Sequence, residues 1–338
     1  MELDRRSLLT AAGALVMAPA ILRLGLGDAL AQTPAPGAAP SAGAGGTATQ
    51  APGFYRFRIG SLVATVVHDG FGRRPNPTQG FIRNADSAAV EAALQAAFLP
   101  TQHLDIPFSV TVLETPRGLV LFDTGTGGQL GATAGSIPAN LRAAGLSPEQ
   151  VTLIVMTHFH ADHISGLTDA EGRPAFPNAE IVVPEPEWAF WTDEGEASRA
   201  PEAMRGAFAA VRRRFAPYQA KLRRIAPGAE VVPGIRSIAT HGHTPGHTSY
   251  LVADGSDQAM VLGDITNRPE LNLVNPGWHL VFDMDAQAAE ATRRRVFDQV
   301  ATDRIRCIGY HFPFPANGYV AKEAEGYRFV PAFWTATI

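Results

Sequence analysis

The run Thr157-His158-Phe159-His160-Ala161-Asp162-His163 constrains this chain more than any other feature. It follows directly on Leu153–Met156, an apolar stretch short enough for a buried strand. Its polar side chains therefore sit in a loop at a strand's C-terminal end, where α/β sites gather. Three imidazoles and a carboxylate packed this closely need compensation. A divalent ion supplies it, since zinc takes histidine nitrogen and carboxylate oxygen. Of the 10 histidines in 338 residues, this run holds three, so a merely solvated polar loop is a poor alternative. The same pattern, an apolar strand followed by a ligand type, recurs. Ser237–Thr240 leads to His241-Gly242-His243-Thr244-Pro245-Gly246-His247, Ala259–Leu262 to Gly263-Asp264, and Cys307–Tyr310 to His311. A single histidine after a strand is usually a hydrogen-bonded structural residue. Strand ends that repeatedly deliver His or Asp point to one site collected along one edge of the sheets.

Composition narrows the chemistry. A net charge of −4 leaves no basic excess to hold a polyanion, which excludes nucleic acid as a partner. The single cysteine, Cys307, rules out both an intrachain disulfide and a thiolate-rich zinc site. At the N-terminus, Arg5-Arg6 precede an apolar stretch reaching about Leu22, and Ala29-Leu30-Ala31 matches a small-x-small cleavage site. Residues 1–31 look like a twin-arginine signal, a route that exports folded protein through the export machinery, so a periplasmic or secreted location is expected. Pro19 and Arg23 interrupt the apolar run and argue against a membrane anchor. Residues 32–53 are almost entirely Ala, Pro, Gly, Thr and Ser and read as a disordered linker, leaving 54–338 as the folded domain.

Within that domain strand and helix signals alternate. Tyr55–Ile59 with Leu62–Val67, and Phe108–Leu113 with Leu119–Phe122, read as hairpins, and Ile181–Val183 as a strand. Ile235–Thr240, Ser249–Val252, Met260–Leu262 and Ile305–Tyr310 are further strands. Helical spacing covers Pro138–Ala144, Glu185–Trp191, Pro201–Arg224 and Ala286–Val300. Strands from both halves with helices between them suggest two sheets covered outside by helices.

His158-x-His160-x-Asp162-His163, Gly-His-Thr-Pro-Gly-His247, Gly263-Asp264 and His311 match, in order, the metal motifs of the metallo-β-lactamase superfamily, and Leu121-Phe122-Asp123-Thr124-Gly125 resembles its first structural motif. Segments such as Ala51-Pro52-Gly53-Phe54-Tyr55-Arg56, Phe176-Pro177-Asn178-Ala179 and Gly326-Tyr327-Arg328-Phe329-Val330-Pro331 resemble its methyl parathion hydrolase branch. The resemblance implies an α/β, four-layer αββα sandwich, with two mixed sheets packed face to face and helices outside. It implies two divalent ions, zinc first, with manganese, iron and cobalt also suited to His and Asp. His158, His160 and His247 would hold one, Asp162, His163 and His311 the other, and Asp264 would bridge them. Asp123 and His243 are expected to orient ligands from behind. Asp162 and Asp264 carry the catalytic roles, around a hydroxide shared by the two ions.

Trp188, Trp191 and Trp278 are the aromatic side chains expected to line a pocket for a small apolar or aromatic ester. The activity expected is hydrolysis of a lactone or aryl carboxylic ester, with organophosphate triesters as further substrates. A dedicated phosphotriesterase, a β-lactam hydrolase and a phosphodiester hydrolase on the same site stay open as alternatives. So does a metal-carrying binding protein without turnover. Asn267 stands where quorum-sensing lactonases of this fold usually place a tyrosine, which points away from that subgroup. The aromatic N-terminal hairpin leaves room for a homodimer.

Overall fold

Residues 50–338 are described by the computed structural model. Seven strands form the first sheet in chain order: β1 (Phe54–Ile59), β2 (Leu62–Pro75), β3 (His103–Thr115), β4 (Gly118–Phe122), β5 (Val151–Val155), β6 (Glu180–Pro184) and β7 (Leu222–Ile225). β1 to β4 pair antiparallel and β4 to β7 parallel. The turn between β1 and β2 has two residues, Gly60 and Ser61, and Gly60 takes the left-handed conformation such turns require (φ 59°). The second sheet also has seven strands: β8 (Glu230–Val232), β9 (Ile235–Ala239), β10 (Thr248–Asp254), β11 (Asp257–Gly263), β12 (Arg306–Gly309), β13 (Asn317–Lys322) and β14 (Tyr327–Pro331). It is antiparallel except where β11 and β12 run parallel, so it is mixed like the first.

The layers follow from the two-residue period of the strands. Val120 and Phe122 of β4, Leu153 and Val155 of β5 and Val182 of β6 share a core with Tyr250, Val252 and Val261 of the second sheet. Their neighbours Leu119, Leu121, Ile154, Ile181 and Val183 point the other way, into a core with helix residues. The helices are α1 (Ser87–Ala96), α2 (Ile137–Ala143), α3 (Ala161–Ile164), α4 (Glu185–Thr192), α5 (Glu194–Arg199), α6 (Glu202–Phe215) and α7 (Ala286–Thr302). Leu141 of α2 and Phe208, Val211 and Phe215 of α6 cover the first sheet, while Val296, Phe297 and Val300 of α7 pack with Met260 and Cys307 of the second. Each such side chain contributes about 1.5–3 kcal/mol on burial. The result is the αββα sandwich, with β4, β5, β11 and β12 ending toward one edge.

Several elements differ from the sequence reading. The helix expected over Pro201–Arg224 stops at Phe215. Pro217 has no amide to continue the helical ladder, so the chain tightens through a 3-10 turn, Ala216–Lys221, and then continues as edge strand β7. β2 and β3 run well past the expected Val67 and Phe108, because a bulge between His68 and Gly70 lets the pairing resume beyond an interruption. α1, capped by Asp86, and the C-terminal hairpin β13–β14 were not foreseen. The signal expected over 1–31 and most of the linker lie outside the described residues. At the linker's expected end, Gly53 already donates to Asn140 Oδ1. Among the described residues no helix is long and apolar enough to cross a membrane.

Candidate metal centre

Asp123 sits at the end of β4 with a left-handed backbone (φ 58°), which turns its carboxylate under the next loop. Its Oδ1 accepts from the Thr157 amide (2.8 Å), and its Oδ2 accepts from the Thr157 hydroxyl (2.7 Å) and from His163 Nδ1 (2.8 Å). Beyond Thr157 the chain passes His158 and Phe159, and His160 caps the single turn of α3, which carries Asp162 and His163 back toward β4. Phe159 anchors this loop in the helix-side core.

Backbone and side-chain acceptors take the Nδ1 of the imidazoles one after another. His163 donates to Asp123, His311 to the Pro107 carbonyl (2.8 Å), and His247 to the Thr240 carbonyl (3.1 Å), while His158 Nδ1 lies 3.0 Å from the Thr157 hydroxyl. With Nδ1 so engaged, Nε2 is the ring nitrogen left for an ion, which it can bind once any proton on it is displaced. Asp264, at the end of β11, stands among them. Its Oδ2 is 2.8 Å from His311 Nε2 and 3.4 Å from His243 Nε2, and its Oδ1 is 3.3 Å from His163 Nε2. Asp162 Oδ2 lies 3.5 Å from His311 Nε2 and 3.6 Å from His163 Nε2.

Three groups of ligating atoms result, each within 4.8 Å: His158, His160 and His243; His158, His163 and Asp264; and Asp162, His163 and His311. The last is the second ion's expected set, and Asp264 lies between the two halves as a bridging carboxylate would. The first ion's set is altered. His243, expected to act from behind, puts Nε2 2.9 Å from His160 Nδ1, and its own Nδ1 meets Asp283 Oδ1 at 3.0 Å. His247 stays beside the cluster, its ring 5.1 Å from that of His158, with Nε2 accepting the Asp264 amide (2.8 Å). Both rings belong to one loop, and the hydrogen-bond partners available to each decide which reaches His160.

The chemistry of the donors fits divalent ions. His158 Nε2, His163 Nε2 and Asp264 Oδ1 are buried, converge and make no hydrogen bond, the last two meeting only as an ion pair at 3.3 Å. Each such group left unmade costs about 1–3 kcal/mol, and a cation answers all three together. Burial, reinforced by the neighbouring imidazolium of His163, holds His158 well below its usual range. Burial and His243 do the same for His160, and burial pushes His247 down to about 3. For His163 burial works against the charged form, but Asp264, Asp162 and Asp123 outweigh it and raise it well above 6.5. Asp264, penalised by burial, is nonetheless held well below the carboxylate range by His311 and His163. The protein thus keeps a proton where positive charge is wanted, and the proton and a metal ion compete for that place.

Of the three tryptophans, Trp191 serves otherwise than expected. Trp191 is fully buried, donates Nε1 to Glu187 (2.7 Å) and packs on Phe208, with its ring 6.3 Å from that of His160. It is a wall behind the ligand rather than a substrate surface. Trp188 stacks edgewise on Phe159 and Phe215 in the core, and Trp278 is half-buried against it. Tyr310 and Glu187 were missed. The Tyr310 hydroxyl donates to the Asp162 carbonyl and its ring stacks on His163 at 3.8 Å. Its position directly before His311 was the available signal. Asn267 is buried with Oδ1 unpartnered.

The chain is similar to known proteins in both sequence and fold. A family model described as the metallo-beta-lactamase superfamily matches residues 107–304. An N-acyl homoserine lactonase of a Bacillus species is 27% identical over 180 residues, which cover 48% of this chain and 64% of that protein. An N-acyl homoserine lactonase of Bacillus thuringiensis is 26% identical over 190 residues, 51% of this chain and 68% of that one. The chain thus spans less than two thirds of the first relative's length. Among solved structures, AidC, a dizinc quorum-quenching lactonase in complex with the product N-hexanoyl-L-homoserine, superposes with a TM-score of 0.78 at 25% identity, covering 84% of this chain and 98% of its own. The hydrolase AbOPH of the beta lactamase superfamily gives 0.80 at 27% identity, covering 85% and 100%. Lactonases are therefore among the proteins similar to this chain, Asn267 notwithstanding.

Proposed function

The chain belongs to the metallo-β-lactamase superfamily, and on that premise we propose that it is a two-metal hydrolase that opens a lactone or a small aryl ester. The observation that carries this reading is the trio of buried, unpartnered donor atoms on His158, His163 and Asp264. Two divalent ions, zinc first, would supply when bound a nucleophile from water near neutral pH and a Lewis acid for the scissile carbonyl. The chain's own residues do the rest. Asp123, Pro107 and Thr240 lock the tautomers of His163, His311 and His247. Asp264 reaches residues of both halves, with Oδ1 against His163 and Oδ2 against His311 and His243. His160 and Asp162 are only half-buried, so substrate approaches on their side, and the Asp162 carboxylate is placed to hold a proton released by the attacking water.

The named lactonases support a lactone as first substrate, with N-acyl homoserine lactones the first to try. Phosphotriesters rank second, on the motifs resembling the methyl parathion hydrolase branch. Export through the paired arginines at 5 and 6 belongs to the same proposal. The test is a panel of N-hexanoyl homoserine lactone, dihydrocoumarin, phenyl acetate and paraoxon, with zinc content measured on the same sample. Ring opening of either lactone supports the reading. Two ions per chain with an inert panel would make this a metal-binding protein instead.

A further inference from the structure

Helix α4 begins Glu185-Pro186-Glu187, and Glu187 turns a wholly buried carboxylate inward. Its hydrogen-bond partners include no cation. Oε1 accepts from the Phe159 amide (2.9 Å) and from Trp191 Nε1 (2.7 Å), and Oε2 accepts from the Thr244 hydroxyl (2.8 Å) and the Gly246 amide (2.8 Å). Phe159 lies between His158 and His160, and Thr244 and Gly246 lie between His243 and His247. One carboxylate thus ties together the two loops that bring imidazoles to the same half of the site. The loops also seat directly on the helix, since a Cβ at Gly246 would lie 2.0 Å from the Glu187 amide nitrogen. Burial raises the carboxyl's pKa while its donors lower it, and a charge kept in so dry a place needs all of them.

We propose that Glu187 is a positioning residue which sets the spacing of the 157–160 and 243–247 loops and thereby the affinity for the ion held between them. The inference rests on reading the site as a two-ion centre. The ion held by Asp162, His163 and His311 lies off this clamp and depends on it little.

Glu187→Gln tests the idea at nearly constant volume. The amide oxygen can still serve Phe159 and Trp191, but an NH2 group then faces the Gly246 amide. Chelator competition with zinc chloride, followed by metal analysis, is expected to show one of two ions bound about 10- to 100-fold more weakly. The other should be unchanged, and the cobalt(II)-loaded protein should show an altered visible spectrum. Thermal melting of the metal-free protein should shift less than that of the loaded protein. Thr244→Val, which removes one donor and keeps the carboxylate, should weaken the same ion by a smaller factor, and it covers the case in which Glu187→Gln does not fold. Two equally tight ions in both variants, or equal melting losses with and without metal, would overturn the proposal. Wild-type protein that binds no zinc would instead fault the two-ion reading itself.

Discussion

Replacing Asp123 by Asn changes one atom in a buried site and should move a proton on a residue 40 positions away. Asp123 accepts three hydrogen bonds, from the Thr157 amide, the Thr157 hydroxyl and His163 Nδ1. Asparagine tolerates the left-handed backbone at φ 58° almost as well as aspartate, so the turn itself is spared. Its oxygen can keep the Thr157 amide, and the Thr157 hydroxyl can rotate to accept. His163 has only one response. Nδ1 must lose its proton to accept from the new NH2, which leaves the ring's one remaining N–H on Nε2, the atom that faces Asp264 and Asp162. A hydrogen bond to a charged group is worth about 1.5–3 kcal/mol and a neutral one about 1, so folding stability should fall by only about 1–2 kcal/mol. Zinc affinity should fall about 10- to 100-fold, because baring the Nε2 lone pair for an ion would then set Nδ1–H against the new NH2 instead of a carboxylate. Asp123→Ala would differ, leaving the Thr157 amide and His163 Nδ1 unpaired at about 1–3 kcal/mol each, with a further cost of roughly 1 kcal/mol for φ > 0. Zinc titration by calorimetry, alongside thermal melts of the metal-free proteins, separates the two effects. Asp123→Asn protein that binds two ions with wild-type affinity would refute the tautomer reasoning.

Further outcomes follow from the same contacts. His158, His160 and His247 have depressed pKa values, so their stability contribution is lost as pH falls below 6.5, whereas His163 and His243 are raised and lose theirs as pH rises above 6.5. Metal-free protein should therefore melt highest near pH 6.5, and zinc should flatten the alkaline side of that curve; a flat metal-free profile would contradict the assignment. Gly246→Ala drives a methyl into the Glu187 backbone, 2.0 Å from its nitrogen, and should cost roughly 3 kcal/mol or more, read by urea denaturation. Changing Arg5 and Arg6 to lysine should hold the protein in the cytoplasm, checked by fractionation, and unaltered export would remove the twin-arginine reading.

The residues that gather at the candidate site were legible because each run follows an apolar strand and because His and Asp have few reasons to crowd. The sandwich was legible through β4, β5 and β6, whose alternate residues serve two cores. What stayed hidden depended on neighbours distant in sequence. Glu187 looks like an ordinary helix-start carboxylate until Phe159, Thr244 and Gly246 are brought to it. Trp191 read as a pocket wall because an aromatic side chain's spacing does not reveal which face of α4 is covered, and Phe208 covers it. The choice between His243 and His247 was not decided by the Thr-Pro-Gly spacing either, since it turns on Asp283 reaching one ring and Thr240 the other. The end of α6 was misplaced because Leu222 fits a helical stripe as well as a strand.

Native mass spectrometry of the chain titrated with zinc decides whether the site holds a pair of ions. The expected result is a mass increase of two ions per chain, and loss of both in Asp264→Ala, whose missing carboxylate faces both halves of the site. A wild-type chain that saturates at one ion or none, or an Asp264→Ala chain that still takes up two, would contradict it.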